Sequence, residues 1–88
     1  MLFLHRDCLE CRHVRESILV DPQVRRALNE ITWQSVDTAT PEGAHIASHY
    51  RVDATPVLVL FSGDGREIAR TDDLATMEKF LEAIGRLD

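Results

Sequence analysis

The run Leu2-Phe3-Leu4-His5-Arg6-Asp7-Cys8-Leu9-Glu10-Cys11 decides how the rest of the chain is read. Leu2 to His5 is a short apolar stretch suited to a buried strand, and it passes directly into Asp7, a residue able to cap a helix that starts near Cys8. The expected unit is a strand, a cysteine pair and a helix in immediate succession. A C-x-x-C at that place has a physical reason to be reactive. The thiolate is the nucleophile, and the free N–H groups and dipole of a helix N-terminus stabilise its charge. Cys8 stands where that field and solvent access are greatest, so it is expected to be the attacking thiol. Cys11, one helical turn further in, is expected to attack the mixed disulfide and release reduced substrate.

Outward from this unit, Asp21-Pro22 repeats a helix start, a capping carboxylate before a proline at the first helical position. The first helix is therefore expected to kink or restart there, with Val24, Ala27, Leu28 and Ile31 at helical spacing. Ile31 to Val36 reads as a strand, and Thr40-Pro41-Glu42 opens a helix through Ala44, Ala47 and Tyr50. Val57 to Phe61 is an unbroken apolar run of the kind found inside a sheet covered on both faces. Ser62-Gly63-Asp64-Gly65 supplies a hairpin turn into a partner strand, Glu67 to Arg70. Leu74, Met77, Phe80, Leu81, Ile84 and Leu87 line one face of a closing helix, with Thr71, Asp72 and Asp73 as capping candidates. The order βαβαββα predicts an α/β fold, a four-stranded mixed sheet with helices on both faces. Thr55-Pro56 stands at the mouth of the central strand, either as a turn with a cis bond or as a trans proline ending the loop. This strand order can bring Pro56 alongside Cys8.

Composition narrows the function. Eighty-eight residues make one domain, since domains run to roughly 100 to 200 residues. Hydrophobic residues at 44% and charged residues at 28% are those of a chain that folds in water. Ten Lys and Arg against 15 Asp and Glu give a net charge of -5, which argues against nucleic acid as a partner. Two cysteines do not make a disulfide framework, and a bond across three positions removes little entropy from the unfolded chain. If they pair, the reason is chemistry. No stretch reaches the roughly 18 apolar residues of a membrane span, and His5-Arg6-Asp7 interrupts the opening apolar run before a signal-peptide core forms. As written the chain reads as cytoplasmic and monomeric; as a mature or excised domain it reads as periplasmic. No repeat, linker or low-complexity segment divides it.

The whole pattern resembles a thioredoxin-like domain: strand, Cys8-Leu9-Glu10-Cys11, helix, strand ending at Val36-Asp37, helix, Thr55-Pro56, hairpin around Gly63-Asp64-Gly65, final helix. The stretch Cys11 to Asn29, with Asp21-Pro22-Gln23-Val24 and Ala27-Leu28, is most similar to the C-terminal thioredoxin-like domain of bacterial transmembrane thiol:disulfide interchange reductases and their small soluble relatives. The resemblance implies a thiol-disulfide oxidoreductase with nucleophile Cys8, resolving thiol Cys11 and no cofactor. It also implies a cis-Pro56, with Thr55 offering backbone hydrogen bonds to an extended substrate segment. The implied partners are a protein disulfide and an upstream dithiol donor. The chain departs from the family's pattern at Asp7, where Trp is usual, and at Leu9-Glu10, where Gly-Pro is usual. Leu2 occupies the position of a buried acid, so Glu16, His13 or a water is left as proton acceptor for Cys11. The strand and helix that precede this unit in full-length thioredoxins have no counterpart, so a minimal version of the fold is expected.

Asp7 and Glu10 set negative charge beside the thiols, against Arg6, Arg12 and, when protonated, His5 and His13. Glu10, between the cysteines, is expected to disfavour the thiolate and make the pair a reductant of low potential. Two other readings compete. Cys8, Cys11 and either His5 or His13 could bind Zn or Cu(I), since soft thiolates suit both, although structural zinc usually needs four closed ligands. Alternatively, a non-catalytic binding module would keep the pair as a relic or a redox switch. His45 and His49, four apart on a predicted helix, read as an exposed polar face, Trp33 and Tyr50 as core or edge aromatics, and Met77 as a packing residue.

Overall fold

In the computed structural model, which describes residues 1–85, the chain winds around one short strand, β1 (Leu2–Leu4). Helix α1 (Leu9–His13) continues as a π-helical turn over Val14–Ile18 and gives way to α2 (Pro22–Leu28). Then come β2 (Ser35–Asp37), α3 (Pro41–His49), β3 (Val57–Phe61), β4 (Glu67–Thr71) and α4 (Met77–Gly85). The strands lie in the order β2-β1-β3-β4. β1 runs parallel to β2 and antiparallel to β3, and β3 and β4 form a hairpin with a bulge at Leu60/Phe61. This is the expected α/β architecture, with Val57–Phe61 inside the sheet.

Alternation along the strands divides the core into two layers. Leu2, Leu4, Leu58 and Leu60 point to one face, where Cys11 and Phe80 pack from α1 and α4 and Val24 packs from α2. Phe3 and Val59 point to the other, against Val36 and against Ala47 of α3. Fully burying one Leu or Phe contributes about 1.5–3 kcal/mol, so the wholly enclosed Leu2 and Phe3 tie both layers to β1.

Local signals explain the helix starts. Asp21 Oδ1 accepts the Gln23 and Val24 N–H groups at 2.8 and 3.4 Å, with Pro22 first in the helix, so the expected restart is present. Ahead of it the helix widens by one residue: Leu19 N–H reaches back five positions to the Val14 carbonyl at 2.8 Å. Thr40 caps α3 by accepting Gly43 N–H at 3.0 Å.

The structure corrects several expectations. The first cap is Cys8, whose sulfur accepts Cys11 N–H, while Asp7 donates its own N–H to His5 Nδ1 at 3.0 Å. The predicted strand over Ile31 to Val36 is Ser35–Asp37, because the three residues of β1 set its length. Ile31 instead follows α2 with its N–H on the Leu28 carbonyl and packs on the helical layer. The closing helix starts later than predicted. Thr76 Oγ1 accepts Lys79 N–H at 3.2 Å, Thr71 serves only the Asp73 N–H in the preceding loop, and buried Leu74 lies before the helix. The predicted Leu87 lies outside the described residues.

Two positions carry unusual backbone demands. Gly43 is buried at the start of α3, and a Cβ built there collides with the Asp37 carbonyl at the end of β2. Arg51 has φ 58, left-handed, where a Schellman turn closes α3: Val52 N–H meets the Ala47 carbonyl at 2.8 Å and Arg51 N–H the Ser48 carbonyl at 3.1 Å. Helix propensity alone gives Gly43→Ala a gain of about 1 kcal/mol, but the overpacking should reverse it to a net loss of about 1–3 kcal/mol in urea unfolding. Greater stability would mean that β2 yields freely. Arg51→Gly should raise the unfolding free energy by about 0.5–1 kcal/mol in the same assay, since glycine meets no steric penalty in the left-handed region.

Candidate active site

The end of β1 positions the cysteines. His5 leaves the sheet, and its carbonyl accepts the Cys8 N–H at 3.3 Å while its own N–H points at Cys11 Sγ, 3.4 Å away. One residue's backbone thus holds both members of the pair. Cys8, with extended φ −110 and ψ 121, stands just outside α1, and its sulfur takes the place of a capping oxygen, accepting Cys11 N–H at 3.1 Å. The two sulfurs are at bonding distance, a disulfide with Cα atoms 5.1 Å apart. They differ in access: Cys8 is partly exposed, whereas Cys11 is enclosed in the core with Val14 and Ile18.

The Thr55–Pro56 bond is cis, and it faces the pair. Cys8 Sγ lies 3.5 Å from the Thr55 carbonyl oxygen, and Pro56 is buried beneath. The folded sheet therefore brings together all four residues singled out from sequence, Cys8, Cys11, Thr55 and Pro56. Glu10 Oε2 approaches Cys8 Sγ to 3.8 Å. Arg6, Asp7 and Arg12 border a separate hollow against Cys8 and Leu9.

Among the described residues no side chain takes the place of a buried acid. Leu2 is fully enclosed, and among the described residues no charged or polar side chain is buried. Glu16 is exposed, and His13 is engaged elsewhere, its Nε2 2.6 Å from the Ala75 carbonyl. A carbonyl only accepts, so that nitrogen carries the proton. The hydrogen bond that reaches Cys11 Sγ comes from the His5 backbone.

The other candidates disperse. Among the described residues no three His, Cys, Asp or Glu side chains gather as a metal site. His5 Nδ1 accepts Asp7 N–H, and His45 and His49 are exposed, with the His49 ring edge-on to Tyr50 at 4.8 Å. Tyr50 packs with Phe3 and Phe61, Trp33 is 39% exposed, and Met77 packs against the helical layer. Sequence reasoning missed two contacts, the His5 backbone to both cysteines and the His13 clip to Ala75. The first depends on how the chain leaves β1, and the second joins positions 62 residues apart, so neither leaves a local pattern.

Comparison with known proteins gives the same picture. The family model described as "Thioredoxin-like domain" matches residues 1–87. A thioredoxin from Thermus thermophilus superposes with a TM-score of 0.82 at 31% identity, over 97% of this chain and 68% of that one. The thiol:disulfide interchange protein DsbD of Colwellia psychrerythraea (strain 34H / ATCC BAA-681) is 26% identical over 74 residues, 80% of this chain but only 12% of that protein's length. An uncharacterized protein of Treponema pallidum (strain Nichols) is 30% identical over 53 residues, 60% of this chain and 69% of its own. With the family match running through a cysteine pair that the fold itself closes, this chain belongs to the thioredoxin-like domain family and is a thiol-disulfide oxidoreductase.

Proposed function

We propose that the protein reduces disulfides of protein substrates through a mixed disulfide at Cys8 and is recharged by an upstream dithiol. The observation that carries this reading is the asymmetry of the pair. Cys8 is partly exposed beside the Thr55 carbonyl and receives the Cys11 N–H, while Cys11 is enclosed behind it.

In the reduced protein, the Cys8 thiolate attacks one sulfur of the substrate disulfide. The substrate S–S bond breaks, a Cys8–substrate S–S bond forms, and the first substrate sulfur leaves as a thiolate that takes a proton. Cys11, as thiolate, then attacks Cys8 Sγ. The mixed disulfide breaks, the Cys8–Cys11 bond forms and the second substrate thiol is released. Two electrons pass to the substrate, and a dithiol donor returns them by the same exchange in reverse. The N–H of Cys11 stabilises charge on Cys8 as attacker and as leaving group. Backbone groups of Thr55, beside the sulfur, orient an extended substrate segment.

Two features support a reducing direction, set against Arg6 and Arg12, which share a hollow with Cys8. Glu10 Oε2, 3.8 Å from Cys8 Sγ, repels negative charge on that sulfur, and Cys11 lies in an apolar layer. Both disfavour the thiolate form, and a less stable reduced state is a stronger reductant.

In an insulin-reduction assay, Cys8→Ser should abolish turnover. Cys11→Ser should instead accumulate a covalent substrate adduct at Cys8, visible by non-reducing mass spectrometry. An adduct on Cys11 in the Cys8→Ser protein would reverse the assigned roles. Glu10→Gln should raise the reduction potential measured against glutathione by about 10–20 mV. An unchanged or lower potential would remove Glu10 from the account.

A further inference from the structure

A groove of about 290 Å³ runs beside the cysteine pair, between the start of α1 and the loop from β4 to α4. Its apolar wall and floor are Leu9, Val14, Pro56 and Leu74. Leu9 is 78% exposed although it is a large hydrophobic side chain adjoining Cys8, whereas Leu74 is 1% exposed at the base. The polar rim is formed by Glu10, Asp72 and Asp73, with His13 beneath the loop. His13 is held to the Ala75 carbonyl at 2.6 Å, and Leu74 N–H to the Asp72 carbonyl at 3.1 Å, so the loop is fixed over the groove.

The charge on this rim is one-sided. Among the described residues, no Lys or Arg reaches Glu10 or Asp72, and Asp73 meets only Lys79, at 3.8 Å and with both side chains more than half exposed. Such a pair is worth little and can exchange partners. The arginines Arg6 and Arg12 lie in the separate hollow with Asp7 and Cys8.

We propose that this groove selects the substrate: it takes an apolar side chain next to the reacting cysteine, flanked by Lys or Arg that pair with Glu10, Asp72 and Asp73. This inference rests on the reading of Cys8 as the nucleophile and adds the class of polypeptide presented to it. Apolar contact supplies the area, and the acidic rim discriminates by charge, which acts chiefly on the rate of productive encounter.

The test uses two disulfide-linked peptides identical except that two Lys in one are Glu in the other, each with Leu next to a cysteine. Each rate of reduction by the reduced protein is divided by the rate with a neutral small dithiol, which removes intrinsic reactivity. At low salt the Lys peptide should be favoured about tenfold, and the ratio should fall to about twofold in Asp72→Asn/Asp73→Asn. Glu30→Gln/Glu42→Gln makes the same change in net charge elsewhere and should keep the tenfold preference. A ratio near one in the parent protein, or an equal fall in both double variants, would overturn the proposal. If neither peptide nor hydroxyethyl disulfide is reduced, the reductase reading fails by itself. Cysteine-free Lys and Glu peptides titrated onto the oxidised protein, followed by the Leu9 and Leu74 amide NMR signals, then decide the groove: tighter Lys binding upholds it, and equal or absent binding overturns it.

Discussion

Leu2, Phe3 and Leu4 pair with Ser35–Asp37 in parallel, and Leu2 and Phe3 pair on their other side with Leu58 and Val57 in antiparallel register. The chain runs as a helix-rich crossover before residue 50 and a hairpin with its helix after it, and α4 also packs on α1 and α2. β1 joins the two parts within the sheet, and because its side chains alternate, it also supplies hydrophobic anchors to both layers of the core. The site inherits its geometry from the same strand. As β1 ends, the His5 backbone turns out of the sheet with one group on each cysteine, and β3, its antiparallel neighbour, carries the Thr55–Pro56 peptide to the facing side. A shift of β1 by one residue would exchange the two layers and separate the pair from its carbonyl neighbour at once.

What was legible in the sequence follows the range of the interactions. Asp21-Pro22 and Thr40-Pro41 are complete instructions within four residues, a cap and a preset φ, and both helices start there. Val57–Phe61 is apolar on both faces because it is covered on both, so its interior place could be read directly. Ile31 to Val36 failed for a different reason. Its β-branched and aromatic residues suit a strand, but a ladder needs a partner, and β1 offers only three residues to pair. Likewise, a carboxylate at Asp7 is the stronger capping group in isolation, yet the turn at His5 puts Cys8 at the cap.

The functional site divides along the same line. That both cysteines, Thr55 and Pro56 would lie together was readable, because the pattern the chain resembles sets them by type and spacing. The wall around them was not. Leu9, Val14, Pro56 and Leu74 come from three separate segments, and Asp72 and Asp73 look like helix caps until the loop is seen folded back onto α1. Residues of ordinary type acquire a role there only through tertiary placement.

The apolar surroundings of Cys11 have a consequence for how charge crosses this molecule. With no buried polar side chain among the described residues, the interior offers neither a proton store nor a counter-ion behind that sulfur. A lasting thiolate there would be an unpaired charge in a medium of low polarity, which is costly. Under the proposed exchange, a Cys11 sulfur left reduced is therefore held as a thiol, and its proton has to come from outside the core. In that exchange the pair is open on one side only: Cys8 faces solvent, and the apolar layer around Cys11 closes the other.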